Sequence, residues 1–322
     1  MFNGCSLLKS LNISNFKTSK VIEMNSMFNG CSSLISIDLH KFDTSSVIDM
    51  DSMFFGCINL TLLDLSSFDT SNVIDMNNLF NSCSKLKSLN LSNLNTSLVS
   101  NMNDMFNGCS NLVSLDLSNF NTTLVLNMNS MFNGCSSLVS LNISNFNTSQ
   151  VNSMESMFKG CFSLMILDIS NFNTPKVTNM GYMFHSCSLL LSLDLTNFNT
   201  SSVRCMDSMF SECSKLNLLN INNFNVSLVT DMNHMFNGCS SLISLNLSNF
   251  NTLSILNIDA IFQGCYSLKS LDISNFNFSK FTSISTIFNS NKNLTYLNLR
   301  NSIMKFSLFK ELINFFFVET VE

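Results

Sequence analysis

One pair of residues recurs with a fixed step along almost the whole of this chain. Met-Phe stands at Met1, Met27, Met53, Met105, Met131, Met157, Met183, Met209 and Met235, and Leu79, Ile261 and Ile287 replace the Met in three further places. Every step is 26 residues, without insertion. A period of that length marks an array of stacked units, each too small to bury its own apolar face, so the chain grows by adding units to a solenoid. The length of 322 residues alone would imply two globular domains, and the repeat overrides that expectation. The expected organisation is a solenoid over residues 1–303, about twelve units starting at 1, 27, 53, 79, 105, 131, 157, 183, 209, 235, 261 and 287, with a C-terminal capping segment at 304–322.

The unit from Met27 to Ser52 shows the expected local structure. Leu34, Ile37 and Leu39 form a Leu-x-x-Leu-x-Leu pattern whose end alternates with the period of a strand. Phe42 begins the turn off that strand. Thr44 and Ser45 are helix N-cap types. Val47, Met50, Met53 and Phe54 then share one face at helical spacing, and Gly56 fits a left-handed C-cap. The fold class expected is an α/β repeat solenoid, with one parallel strand and one short helix per unit. Strands stack about 4.8 Å apart, whereas regular helices need about 8–10 Å. That mismatch predicts a curved array with the sheet on the concave side.

Both ends depart from the pattern. Phe-Asn-Gly-Cys recurs at Phe28–Cys31, Phe106–Cys109, Phe132–Cys135 and Phe236–Cys239, so the opening Met1–Cys5 falls inside a unit. A truncated or misplaced start is expected from this, with any signal segment upstream. At the other end Phe306, Phe309, Leu312, Ile313, Phe316 and Phe317 are spaced as one face of an amphipathic helix, expected to cover the open last unit. A helix on a membrane surface is the alternative, disfavoured by few Lys and Arg.

Charge and composition exclude several function classes. Only 11% of residues are charged and the net charge is −5, with Lys and Arg scattered, so no nucleic-acid footprint is present. No stretch reaches the roughly 18 apolar residues of a membrane span. His40, His185 and His234 fall at different repeat positions, and no phosphate loop, nucleophile elbow or His-Glu-x-x-His occurs. No enzymatic activity, cofactor or metal is expected.

Two rows remain as candidates. Eleven of the twelve cysteines occupy one repeat position, from Cys5 and Cys31 to Cys265, with Cys205 apart. Such a line does not converge as metal ligands do. Free buried thiols are the expectation, and a disulfide ladder is the alternative. The outward strand position carries Asp38, Asp64, Asp116, Asp168, Asp194 and Asp272, interleaved with Asn12, Asn90, Asn142, Asn220, Asn246 and Asn298. This row is either a solvated ladder capping neighbouring backbone, or a face offering hydrogen bonds to a protein or glycan, or carboxylates to Ca²⁺. The Asn-Thr-Ser stretches, such as Asn147–Ser149, read as turn chemistry and create glycosylation sequons through the repeat.

The repeat Phe-x-Gly-Cys-x-x-Leu-x-x-Leu-(Asp/Asn)-(Leu/Ile)-Ser-x-Phe-(Asn/Asp)-Thr-x-x-Val-x-x-Met-x-x-Met-Phe resembles the BspA-like leucine-rich-repeat surface proteins, over roughly residues 1–300. It departs from the commonest leucine-rich repeat because Phe42 and its equivalents take the Asn place, so the usual asparagine ladder is not expected. The resemblance implies an elongated leucine-rich-repeat-like module at a cell surface, engaged in adhesion or protein binding, without catalytic residues. An intracellular scaffold array is the competing expectation.

Overall fold

The computed structural model describes residues 1–288 and 290–317, and within them the 26-residue unit is one coil of a β-solenoid. Nine coils contain a regular three-residue strand: β1 Leu62–Asp64, β2 Ser88–Asn90, β3 Ser114–Asp116, β4 Ser140–Asn142, β5 Ser192–Asp194, β6 Leu218–Asn220, β7 Ser244–Asn246, β8 Ser270–Asp272 and β9 Tyr296–Asn298. They pair in parallel as β1–β2, β3–β4, β5–β6 and β7–β8–β9. Each register is one repeat, as in Leu63 with Leu89 and Leu271 with Leu297. The expectation of one strand in each of about twelve units is therefore corrected. The segments around Asn12, Asp38 and Asp168 form no regular strand.

The expected helix per unit is also corrected. In the Met50–Cys57 segment the amides alternate between two destinations. Ser52, Phe54 and Gly56 donate to the carbonyls of Asn77, Leu79 and Asn81 in the next coil at 2.8–3.0 Å. Met53, Phe55 and Cys57 close turns on Met50, Ser52 and Phe54 of their own coil. A helix would send every amide along its own chain. Reversing direction this tightly requires left-handed backbone, with φ of 55° at Ser52 and 68° at Gly56. The outer side thus hydrogen-bonds between coils, and isolated parallel bridges from Glu23↔Asp49 to Asp231↔Asn257 form a second ladder. With no helix to widen the outer side, the mismatch behind the expected curvature does not arise.

The core consists of rows that run the length of the stack. Phe2, Phe28, Phe54 and their equivalents to Phe288 form a column of twelve rings with successive centroids 5.5–6.3 Å apart. Offset aromatic stacking tolerates that separation. It sits close to the interstrand pitch and leaves no room for packed helices. Val47, Met50, Met53, Cys57, Leu60 and Leu63 stand for the other rows, each at most 1% exposed.

Thr44, expected as a helix cap, instead ties coils together. Thr70 Oγ1 donates to the Asn95 carbonyl and accepts the Asn95 amide, both at 2.8 Å. Thr96, Thr122 and Thr148 hold Asn121, Asn147 and Asn173 in the same way, and all are buried. An asparagine ladder exists as well, one residue before the Phe. Asn119 Nδ2 donates to Leu91 O at 3.0 Å and Leu94 O at 3.1 Å, and Asn171 and Asn223 repeat the arrangement.

One α-helix, α1 Phe306–Phe317, follows the last coil. Leu308 and Leu312 are buried in the core, while Phe306 and Phe309 are exposed, so the buried face differs from the one read from spacing. Phe316 and Phe317 have side chains outside the described residues. Glu311 fastens α1 by accepting from Ser283 Oγ at 2.6 Å and from the Ile284 amide at 3.3 Å. No helix among the described residues is long and apolar enough to cross a membrane.

The threonine clamp predicts opposite outcomes at two sites. Thr122→Val keeps the shape but leaves both backbone groups of Asn147 without their buried partner, and should destabilise by about 1–3 kcal/mol. Val226 occupies the same row without a hydroxyl. Val226→Thr should raise the denaturation midpoint by about 1 kcal/mol of stability, read by urea unfolding followed by circular dichroism.

Candidate binding face

The strands present their short pleat outward on one side, and that face carries the candidate row. In β1 the flanking Leu62 and Asp64 are exposed while Leu63 is buried. Each Asp of the row points one oxygen back at its own chain. Oδ1 of Asp64 and Asp116 accepts the amide two residues on, Ser66 and Ser118, at 2.9 Å. Asp168, Asp194 and Asp272 accept the amides of Ser170, Thr196 and Ser274 at 3.0 Å. Asp38 accepts the His40 amide at 3.1 Å and also pairs with the His40 ring. The asparagines do the same, as Asn12 does with Ser14.

These bonds favour the ionised carboxylate. The Ser66 and Ser118 amides, then their hydroxyls, lower the pKa of Asp64 and Asp116 below the ordinary carboxylate value. The Thr196 amide does so for Asp194, the Ser170 hydroxyl for Asp168 and the His40 side chain for Asp38. At Asp272 partial burial opposes the shift, and the Ser274 hydroxyl and amide outweigh it. The row thus holds six anions among six neutral Asn, with backbone caps built in. Between coils it borders shallow hollows, one of about 370 Å³ lined by Asn90, Ser92, Asp116, Ser118 and Asn119. Among the described residues no three His, Cys, Asp or Glu side chains gather as a metal site.

A second feature of this face was not read from the sequence. Leu62 is exposed one residue before the inward Leu63, and two residues before the inward position several coils expose an aliphatic side chain: Ile35, Val113, Val139 and Met165. The sequence pattern conceals them because these positions vary from coil to coil, with Lys87, Asn217 and Lys269 in the same place.

The cysteine row lies inside. All twelve thiols are free, ten of them buried, with Cys5 exposed and Cys205 partly so. Each buried row member donates its S–H to the carbonyl of a Phe in the preceding coil, as Cys57 does to Phe28 at 3.2 Å and Cys135 to Phe106 at 3.2 Å. The disulfide ladder is therefore not formed. Burial pushes the Cys57 and Cys135 thiols up from 9.0 to about 12. Cys205 fits by a neighbouring change: a Cβ on Gly181 would stand 3.3 Å from its Sγ.

The histidines occupy different surroundings. His40 is on the strand face beside Asp38. His185 is half-buried on the outer side, against the Tyr182 ring, with Nδ1 lacking a hydrogen-bond partner. Burial, then the Lys159 charge, lowers its pKa and holds it neutral. His234 is exposed on the outer turn.

Comparison with known proteins agrees with this architecture. The family model described as "Mycoplasma protein of unknown function, DUF285" matches residues 1–112, 57–165, 86–189, 109–218 and 206–315, and the chain belongs to that family. Its repeat is of the BspA-like leucine-rich type. A leucine-rich cell surface protein of Faecalibacterium prausnitzii is 20% identical, with a TM-score of 0.50 over 96% of this chain and 77% of that one. A leucine-rich-repeat protein of Bacteroides ovatus is 18% identical, with a TM-score of 0.42 over 92% and 85%. The first shares the fold. No curated protein matches the sequence.

The buried thiols generate a reactivity prediction, since the thiolate is the nucleophile. In the folded protein only Cys5 and Cys205 should react promptly with a thiol reagent, and all twelve after denaturation. The unfolded chain ionises its thiols near 9.0 while folded Cys135 holds its proton to about 12. Stability should therefore be unaffected by these groups below pH 9.0 and fall as pH rises through that window. Thermal melts across the alkaline range check this.

Proposed function

We propose that this chain is a non-enzymatic binding module displayed on a cell surface, capturing a protein or glycan through its strand face. The proposal assigns the solenoid to residues 1–303 and a capping role to residues 304–322. Asp38, Asp64, Asp116, Asp168, Asp194 and Asp272 are the proposed contact row. One observation supports this most: the six carboxylates stand in one register, and five of them are exposed while carrying hydrogen bonds that keep them ionised. A long line of weak polar contacts, carboxylate in six coils and amide in six, suits an extended macromolecule, because each coil adds its contribution to the same ligand.

A second reading, an intracellular scaffold, draws on the twelve unpaired thiols, since reducing compartments keep cysteines free. Surface biotinylation of intact source cells separates the two. Labelling without lysis supports display, and labelling only after lysis supports the scaffold.

Asp→Asn exchange tests the row without disturbing the fold, because Asn142 and Asn220 natively occupy it with the same amide contact. Asp168→Asn combined with Asp194→Asn should leave the melting temperature within about 1 °C. It should weaken binding to an adhesion partner found among purified matrix proteins by about tenfold, with a smaller dependence on salt. Unchanged binding would remove the row from the site.

A further inference from the structure

Between Lys87 and Lys269 the strand face carries no basic side chain in its outward positions, and an aliphatic line replaces it. Val113, Val139, Met165, Leu191 and Ile243 mark that line, interrupted at Asn217, where Leu218 stands instead. Ile166 and Leu218, one residue further along, are 78% and 64% exposed. Single exposed aliphatic residues are ordinary. A line of them across six neighbouring coils, ended at both sides by a lysine, is a bounded apolar stripe of the kind that marks an interaction surface.

Three residues further along each chain runs the anionic row, here Asp116, Asp168 and Asp194. Lys215 lies on the turn ahead of β6. The face is therefore two parallel tracks along the solenoid axis, aliphatic and acidic. Neighbouring coils are about 4.8 Å apart, so the five steps from Val113 to Ile243 cover about 24 Å. An α-helix advances 5.4 Å per turn, so about 16 residues span the same length, and its residues at steps of three and four lie on one line at nearly the pitch of the coils.

We propose that the strand face between Lys87 and Lys269 docks a cationic amphipathic α-helix of a partner protein, lying along the solenoid axis. Its apolar side covers Val113, Val139, Ile166, Leu191 and Leu218, and its Lys or Arg flank lies over Asp116, Asp168 and Asp194. A glycan fits less well, since aliphatic side chains offer it no hydrogen bond. The proposal narrows the binding reading above to one class of ligand, and rests on it.

The test uses the full chain and a fluorescent Leu/Lys peptide of about 16 residues with a strong helical moment. Controls are the same composition scrambled to remove the moment, and a Leu/Glu counterpart. Anisotropy titration should show binding of the Leu/Lys helix only. Ile166→Ser with Leu218→Ser should weaken it by about tenfold or more. Asp168→Asn with Asp194→Asn should weaken it and flatten its salt dependence. Leu124→Ser with Leu126→Ser, exposed on the other side, should leave it unchanged. Circular dichroism checks that each variant folds.

Equal binding of the scrambled peptide, or binding insensitive to Ile166→Ser with Leu218→Ser, overturns the proposal. So does dimerisation of the chain that Ile166→Ser abolishes, which would assign the stripe to a second copy. A photoreactive group on the peptide distinguishes the two levels of failure. Cross-links to the strand face without dependence on Ile166 reject the helix and keep the face. Cross-links to the outer turns reject both.

Discussion

The pitch of the backbone hydrogen bond between parallel chains, about 4.8 Å, governs every side of this molecule. The strands obey it, and so does the outer segment, where Ser52, Phe54 and Gly56 donate into the next coil. Side chains must then repeat at nearly the same distance. Flat rings can, and the column from Phe28 to Phe262 steps at 5.5–6.0 Å. Small thiols and threonine hydroxyls can too, each reaching backbone one coil away. A helix cannot, because its width exceeds the pitch.

This explains which parts of the structure were legible in the sequence. The repeat, its length, the inward leucines and the buried cysteine row follow from periodicity, which needs no knowledge of neighbours. The outer segment was misread because Val47, Met50, Met53 and Phe54 have helical spacing, and the same spacing arises when every turn of a coil buries its third residue. The arbiter is packing between units, invisible within one unit. Ser52 and its equivalents held a hint: a polar residue recurring before Met-Phe marks left-handed backbone, here at φ of 55°. Thr44 reads from the sequence as a helix N-cap, whereas its hydroxyl donates to the Asp69 carbonyl of the next coil.

The candidate face divides in the same way. The Asp and Asn row is evident from its register, and its side chains accept the amides two residues on. The aliphatic stripe was hidden, since its members differ in identity from coil to coil and interrupt the consensus. Where a repeat is uniform it reports packing, and where it varies on an exposed face it leaves room for discrimination between ligands.

Because register is conserved at every joint, Leu63 meeting Leu89 and Leu271 meeting Leu297, the molecule has an internal ruler. Loss or duplication of one 26-residue segment by recombination rejoins two surfaces that already fit. Such a lineage can change reach in quanta of about 4.8 Å while keeping both ends and the chemistry of the face. Length becomes a heritable variable uncoupled from foldability, and the stripe's extent, rather than any single residue, is what selection can adjust.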